Sequence, residues 1–134
     1  KKLSSFIEIR NRNFDILYNG LKQFENFLIL PSATPKSQPC WFGFPIAIRP
    51  EAPFKRLELI RHLDRAKIDT RLLFGGNLTR QPAFQNIPYR KIGDLKNSDF
   101  VMNHVFWIGV YPGLSKHMLH YVIEKITEFI TGMP

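Results

Sequence analysis

The residues best suited to chemistry lie at the start of a short predicted strand and after the Gly75-Gly76 turn that follows it. An arginine fork can bind a phosphate or carboxylate group through two parallel hydrogen bonds. Amide and hydroxyl side chains can read sugar hydroxyls, because they both donate and accept hydrogen bonds. This combination favours a loop that binds an anionic or sugar-containing ligand, with a plain solvated loop as the alternative. The candidate residues are Arg71, Asn77, Thr79, Arg80 and Gln81.

A second set of candidates is aromatic. Trp41 and Phe42 open one predicted strand, and Trp107 lies on another. Successive side chains of a strand point to opposite faces, so only some of these rings can enter the core. Trp41 or Phe42 could stack on a nucleotide base or flank a sugar ring, and core packing is the alternative.

The remaining reactive side chains predict neither a metal site nor a self-contained catalytic site. His117 and His120 are three residues apart on a predicted helix, but no carboxylate completes a known metal-binding pattern. Cys40 is the single cysteine. It excludes a disulfide framework within this chain and is typical of a reducing compartment, so we expect a cytoplasmic protein. No nucleophile elbow, Walker loop or dinucleotide-binding glycine motif is present.

Length and charge narrow the class of protein. The chain has 134 residues, 44% hydrophobic and 22% charged, which is typical of one globular domain. It begins with lysine instead of methionine, and we interpret it as a piece of a longer protein.

The net charge of +8 is concentrated in residues 49–96, which hold 11 basic and 5 acidic residues. Such a segment attracts anions. No nucleic-acid-binding signature and no apolar run of membrane length accompany it, so we expect neither partner.

Hydrophobic periodicity predicts the elements that position these residues. The pattern predicts helices over residues 3–28, 53–67, 98–104 and 115–130, and strands over 41–49, 71–74 and 105–110. Ser5 with Glu8 predicts a capping box, and Ser115 predicts the N-cap of the last helix. Pro45 predicts an edge or a bulge in its strand. In the last helix, the inward residues are predicted to be Met118, Val122, Ile126 and Phe129. This order predicts an α/β (α+β) domain with a short mixed sheet covered by helices.

Three strings resemble the C-terminal part of a known enzyme family. They are Trp41-Phe42-Gly43-Phe44-Pro45, then Gly76-Asn77-Leu78-Thr79-Arg80-Gln81-Pro82 with Thr70-Arg71 before it, and Phe106-Trp107-Ile108-Gly109-Val110-Tyr111-Pro112-Gly113 with Asn103 before it. The family is DegT/DnrJ/EryC1/StrS, the vitamin B6-dependent nucleotide-sugar enzymes of fold-type I. Within it, the chain looks most similar to the lipopolysaccharide CDP-4-keto-6-deoxyglucose 3-dehydrases. Thr79-Arg80 stands where the sugar aminotransferases of the family carry a histidine, and this departure favours the dehydrase branch.

The resemblance implies a function in the biosynthesis of lipopolysaccharide or O-antigen dideoxysugars. It implies a pyridoxamine or pyridoxal phosphate cofactor, in some members with a 2Fe–2S cluster and a reductase partner, and a homodimer whose subunits share the sites. The cofactor and cluster ligands would lie outside this chain, so we expect the isolated chain to be inactive. A sugar-nucleotide aminotransferase and a non-catalytic domain that binds nucleotide sugars are the alternatives.

The resemblance also assigns residues. It implies that residues 1–30 form the helix linking the large and small domains, and that residues 31–134 form the small domain. It implies substrate contacts by Asn77, Thr79, Arg80, Arg71 and Gln81, with Phe42 and its neighbour Trp41 as an aromatic wall. The physical interpretation agrees, since a diphosphate and a polar sugar need arginine and amide groups.

Overall fold

The computed structural model describes residues 2–133. The helices are α1 (Leu3–Leu21), α2 (Arg56–Arg65), α3 (Lys96–His104) and α4 (Lys116–Thr131). The strands are β1 (Leu28–Ile29), β2 (Gly43–Ile48), β3 (Arg71–Leu72) and β4 (Val105–Gly109). Short 3₁₀ turns occupy Lys22–Phe24, Leu78–Arg80 and Pro82–Phe84.

The four strands form one sheet in the order β1-β2-β4-β3, and every pairing is antiparallel. The predicted α+β class is confirmed, while the sheet is antiparallel throughout and not mixed. Pro45 lies opposite Trp107 of β4, and β1 reaches only Ala47 and Ile48 on the other side of β2. The proline therefore sits where β2 has a neighbour on one side only, as its missing N–H predicted.

Alternating side chains of the central strands form the core. Phe44 and Ile46 of β2 lie opposite Ile108 and Phe106 of β4, and all four are buried. Helices cover this face, with α4 packed against both α1 and α2. The buried apolar residues of the helices are Phe14, Leu17 and Leu21 of α1, Leu59 and Leu63 of α2, and Leu119, Ile126 and Ile130 of α4.

The element boundaries differ from the sequence prediction at several points. Helix α1 ends at Leu21, and Leu28 pairs with Ile48 as part of the unpredicted strand β1. Leu28 still belongs to the core, because a buried strand residue and the last member of a helical stripe look the same in sequence. The second predicted helix is shorter at both ends, and the predicted strand at 71–74 has two residues.

The predicted helix caps have mixed outcomes. Ser115 is confirmed as the N-cap of α4, since its Oγ accepts a hydrogen bond from the Met118 amide at 3.2 Å. The capping box at Ser5 is wrong, because α1 already begins at Leu3 and Ser5 donates to the Lys2 carbonyl. In α4, Ile126 is buried as predicted, but Met118 is half exposed and the neighbouring Leu119 enters the core instead.

A buried asparagine joins the first helix to the end of the central strand. Asn13 of α1 is fully buried, and its Nδ2 donates to the carbonyls of Val110 and Tyr111 at 3.2 and 3.0 Å. Its Oδ1 accepts from the Arg12 guanidinium. These bonds satisfy backbone groups that follow β4, where no neighbouring strand can pair with them. Within residues 2–133, no helix combines the length and the apolar character needed to cross a membrane.

We predict that Asn13→Leu lowers the free energy of unfolding by about 2–3 kcal/mol, because it leaves buried carbonyls without a donor. Urea unfolding of the chain followed by circular dichroism measures this change. The matched control is Asn19→Leu, since Asn19 lies on the same helix and donates to a carbonyl at an exposed position. Its effect should stay within about 0.5 kcal/mol. Equal losses in the two variants would contradict the role given to Asn13.

Candidate functional site

The buried side-chain amide of Asn77 links the connection between β3 and α3 to helix α3. Asn77 is 3% exposed. Its Oδ1 accepts hydrogen bonds from the Thr79 amide at 3.1 Å and from the Thr79 hydroxyl at 2.8 Å. Its Nδ2 donates to Oδ1 of Asp99 at 2.6 Å. The side chain thus caps the 3₁₀ turn Leu78–Arg80 and ties it to the first turn of α3.

Arg80 meets the same carboxylate. Its Nε donates to Oδ1 of Asp99 at 3.2 Å, and its Nη2 donates to Oδ2 at 3.0 Å. The Arg80 side chain nevertheless remains 60% exposed, against 26% for Asp99. Gln81 completes the arrangement by donating to the Gly75 carbonyl at 2.9 Å. We refer to Asn77, Thr79, Arg80, Gln81 and Asp99 as the loop cluster.

The loop cluster is charged at neutral pH. Hydrogen bonds from Arg80 and then from Asn77 lower the pKa of the Asp99 carboxyl below its ordinary value. The hydrogen bond to Asp99 raises the pKa of Arg80 above its already high value. A carboxylate with two donors and a guanidinium with an ionic partner therefore keep opposite charges across the neutral range.

A close backbone contact places the loop on α3. Gly76 has a φ of 61°, in the left-handed region that favours glycine. A Cβ atom at this position would lie 2.6 Å from both Cβ and Cγ of Met102. The glycine is therefore required both by the local turn and by the space that α3 leaves.

The two aromatic candidates have different environments. The Trp41 ring stacks on Phe14 of the core, with ring centroids 3.9 Å apart and an interplanar angle of 5°. Phe42 is 68% exposed and lies against Trp107, with centroids 5.1 Å apart. Together with Phe74, these rings line an apolar recess of about 220 Å³. Of the two predicted aromatic candidates, Phe42 presents the freer surface, while Trp41 is also part of the core.

Arg71 pairs with a different carboxylate from that of the loop cluster. It pairs with Asp69 at 3.0 Å, and both side chains are largely exposed. It stands opposite Trp107 in the sheet and borders a separate groove of about 640 Å³, which also contains Tyr111 and His117. Trp107 lines both this groove and the apolar recess, so it is the residue that the two candidate surfaces share.

Asp99 is the participant that sequence reasoning missed. It is 19 residues from Arg80 and 22 from Asn77 along the chain. In sequence it looks like any acidic residue in the first turn of a helix, where a carboxylate interacts favourably with the helix dipole. No local signal distinguishes it, because its partners are brought to it by the fold.

The other reactive side chains do not form a metal centre in the described part of the chain. Residues 2–133 contain no group of three or more His, Cys, Asp or Glu side chains that could hold a metal ion. His117 and His120 are exposed on α4, and Cys40 is exposed. Among the predicted candidates, the residues of the loop cluster share the most side-chain hydrogen bonds.

Comparison with known sequences identifies the family. The profile of the DegT/DnrJ/EryC1/StrS aminotransferase family matches residues 1–127. The chain belongs to this family. It is 51% identical over 129 residues to the lipopolysaccharide biosynthesis protein RfbH of Salmonella typhimurium, covering 96% of this chain and 30% of RfbH. It is 49% identical to a dTDP-4-dehydro-2,6-dideoxy-D-glucose 3-dehydratase of Saccharopolyspora spinosa, covering 96% of this chain and 28% of that protein. The chain thus spans about 30% of these relatives.

Solved structures of several enzymes share the fold. DesV of S. venezuelae superimposes with a TM-score of 0.84 at 22% identity, over 99% of this chain and 34% of DesV. The GDP-4-keto-6-deoxy-D-mannose-3-dehydratase of E. coli, solved with bound hydrated PLP, gives 0.81 at 23% identity, over 93% and 32% of the two chains. An aminotransferase from Psychrobacter cryohalolentis gives 0.85 at 14% identity, over 98% and 36%. The expected family and small-domain fold are confirmed.

We predict that Gly76→Ala lowers the free energy of unfolding by about 3 kcal/mol, since it combines left-handed strain with a clash against Met102. Gly93→Ala is the matched control, because Gly93 also has a positive φ of 72° but open space where a Cβ would lie. Its cost should be about 1 kcal/mol, from the backbone alone. Urea unfolding of both variants checks the difference, and equal costs would argue against the close packing of the loop on α3.

Proposed function

We propose that this chain is the small domain of a pyridoxamine phosphate-dependent nucleotide-sugar 3-dehydratase. The observation that carries the proposal is the identity of 51% and 49% to RfbH and to a 3-dehydratase over 96% of the chain. The proposed reaction removes the 3-hydroxyl group of CDP-4-keto-6-deoxyglucose, as a step towards lipopolysaccharide or O-antigen dideoxysugars. The exposed guanidinium of Arg80 supports an anionic substrate.

The loop cluster and the aromatic recess supply the proposed substrate contacts. We assign Arg80 to the diphosphate, because its guanidinium is exposed and oriented at the same time. Gln81 and Phe42 are assigned to the sugar or the base. Asn77 and Thr79 are assigned to shaping the loop, since Asn77 is buried and Thr79 bonds to it. Arg71 is assigned to a more distant part of the same ligand, across Trp107 from the recess.

The cofactor is proposed to bind outside this chain. Pyridoxamine phosphate, when bound, supplies the amino group that activates the 4-keto group of the sugar for loss of its neighbouring hydroxyl. The proposed work of this chain is to bind and orient the nucleotide sugar beside that group. The side chains of residues 2–133 do not fit an iron–sulfur cluster, because Cys40 is the single cysteine and no metal-binding group is formed.

The wider assembly follows as a set of proposals from the family. We propose that α1 links this domain to the cofactor domain, that two full-length chains form a homodimer, and that the enzyme is cytoplasmic. A cluster and a reductase partner, where they exist, would involve other parts of the protein. A sugar-nucleotide aminotransferase is the second candidate, and the description of the matching family as an aminotransferase family supports it.

We predict that Arg80→Ala in the full-length enzyme lowers kcat/KM by the equivalent of about 2–3 kcal/mol, the scale of one lost charge-assisted contact to an anion. Steady-state kinetics with the nucleotide sugar measures this. Arg61→Ala is the control, because Arg61 is an exposed arginine on a different element, α2. A specificity constant that Arg80→Ala leaves unchanged would remove Arg80 from the substrate site.

A trapping experiment separates the two candidate enzyme classes. The full-length protein is mixed with pyridoxal phosphate, reduced with borohydride and analysed by mass spectrometry. For a 3-dehydratase we expect bound cofactor that dialyses away and leaves no covalent adduct, because such enzymes lack the cofactor-binding lysine. A stable adduct on a lysine would favour the aminotransferase.

A further inference from the structure

Among residues 2–133, the Arg80 guanidinium is hydrogen-bonded along one edge and has no hydrogen-bond partner along another. Asp99 accepts from Nε and from Nη2. A guanidinium carries five N–H groups, of which two lie on Nη1 and two on Nη2. The pair with Asp99 uses the Nε hydrogen and one Nη2 hydrogen. The edge formed by Nη1 and the second Nη2 hydrogen therefore remains available for a second two-point interaction.

Asp99 also controls the backbone beneath Arg80. The same Oδ1 that accepts from Arg80 accepts from Asn77, and Asn77 in turn holds the amide and hydroxyl of Thr79. One carboxylate thus restrains both the turn that carries Arg80 and the guanidinium at its end. Asp99 itself lies on α3, and its backbone N–H donates a hydrogen bond to the Leu95 carbonyl. An anchored helix is a firmer base than the loop that it holds.

We propose that Asp99 is a positioning residue for anion recognition, which holds the Nε edge of Arg80 so that the Nη1–Nη2 edge can bind the diphosphate of the nucleotide sugar. The inference rests on the proposed function and adds to it a residue that touches no substrate. Preorganising a long side chain reduces the entropy that binding must otherwise overcome. Asp99 acts through Arg80, and its negative charge is already matched by that partner.

A competing interpretation makes the opposite prediction. If the Asp99 carboxylate instead competed with the substrate for the Arg80 guanidinium, removing the charge of Asp99 would release the guanidinium and strengthen anion binding. If Asp99 positions Arg80, the same change weakens binding. Asp99→Asn distinguishes the two, since it keeps the size of the side chain but removes one acceptor oxygen and introduces two N–H donors facing the arginine.

The test uses the full-length holoenzyme with Asp99→Asn, Asp99→Glu, Arg80→Ala and the double variant Arg80→Ala/Asp99→Asn. The measurements are kcat, KM for the nucleotide sugar and the inhibition constant of CDP as the binding probe. We expect Asp99→Asn to raise KM and the CDP inhibition constant roughly tenfold, with kcat within about twofold. In the Arg80→Ala background it should add little. Asp99→Glu, which keeps the charge, should fall between the wild type and Asp99→Asn.

The matched control is Asp94→Asn. Asp94 lies just before α3 and accepts from the Lys96 side chain at 2.8 Å and from the Lys96 amide, so it is a nearby carboxylate whose hydrogen bonds do not involve the loop cluster. Its variant should leave KM and kcat unchanged. If Asp99→Asn does not fold, Asp99→Glu decides the matter through a raised KM, and its full equivalence to the wild type contradicts the proposal.

The outcomes separate this inference from the proposed function. If Arg80→Ala raises KM but Asp99→Asn leaves it unchanged or lowers it, the positioning role is wrong and the substrate site stands. Full additivity of the two substitutions also contradicts positioning through Arg80. If the unsubstituted holoenzyme neither turns over the nucleotide sugar nor is inhibited by CDP, the proposed function itself fails.

Discussion

Strands β2 and β4 pair from Gly43 opposite Gly109 to Ala47 opposite Val105, and this ladder determines where every other element can lie. Its residues alternate between a face covered by the helices and a face that carries Trp107. The Trp107 ring needs the space at Gly43, where a Cβ would come 2.4 Å from it. A shift of one residue in the pairing would exchange the two faces and bury the wrong set of side chains. The core and the aromatic recess thus depend on one register.

The same ladder positions the loop cluster. Helix α3 runs directly into β4 at Val105, so the register of β4 also determines where Asp99 stands. Arg56 of α2 strengthens this junction by donating to the carbonyls of Met102 and Val105 at 2.6 and 3.0 Å. Carbonyls at a helix end without such donors would be unsatisfied. A loop that is exposed along most of its length therefore gains a well-defined geometry from a partly buried helix-to-strand junction.

Periodicity in the sequence predicts the elements with long apolar patterns, and it fails where a structure depends on distant partners. Helix α4 and strands β2 and β4 were predictable, since each carries a pattern long enough to show its own period. Strand β1 was not, because it has two residues and exists only through pairing with β2. The loop residues Asn77 and Arg80 could be named from their chemistry. Their common partner Asp99 could not, since nothing near it in sequence indicates the contact.

Charge pairing changes how the basic middle of the chain should be understood. Arg71 and Arg80 look in sequence like two free positive charges in a basic segment, yet each is paired with a carboxylate at 3.0 Å. Pairing reduces the long-range attraction of an arginine for an anion, and salt screens what remains at exposed positions. It does not remove the directional hydrogen bonds of the free guanidinium edge. In the proposed substrate site, anion recognition therefore depends on the orientation of Arg80 more than on net charge, and replacing Asp99 would keep the attraction and lose the geometry.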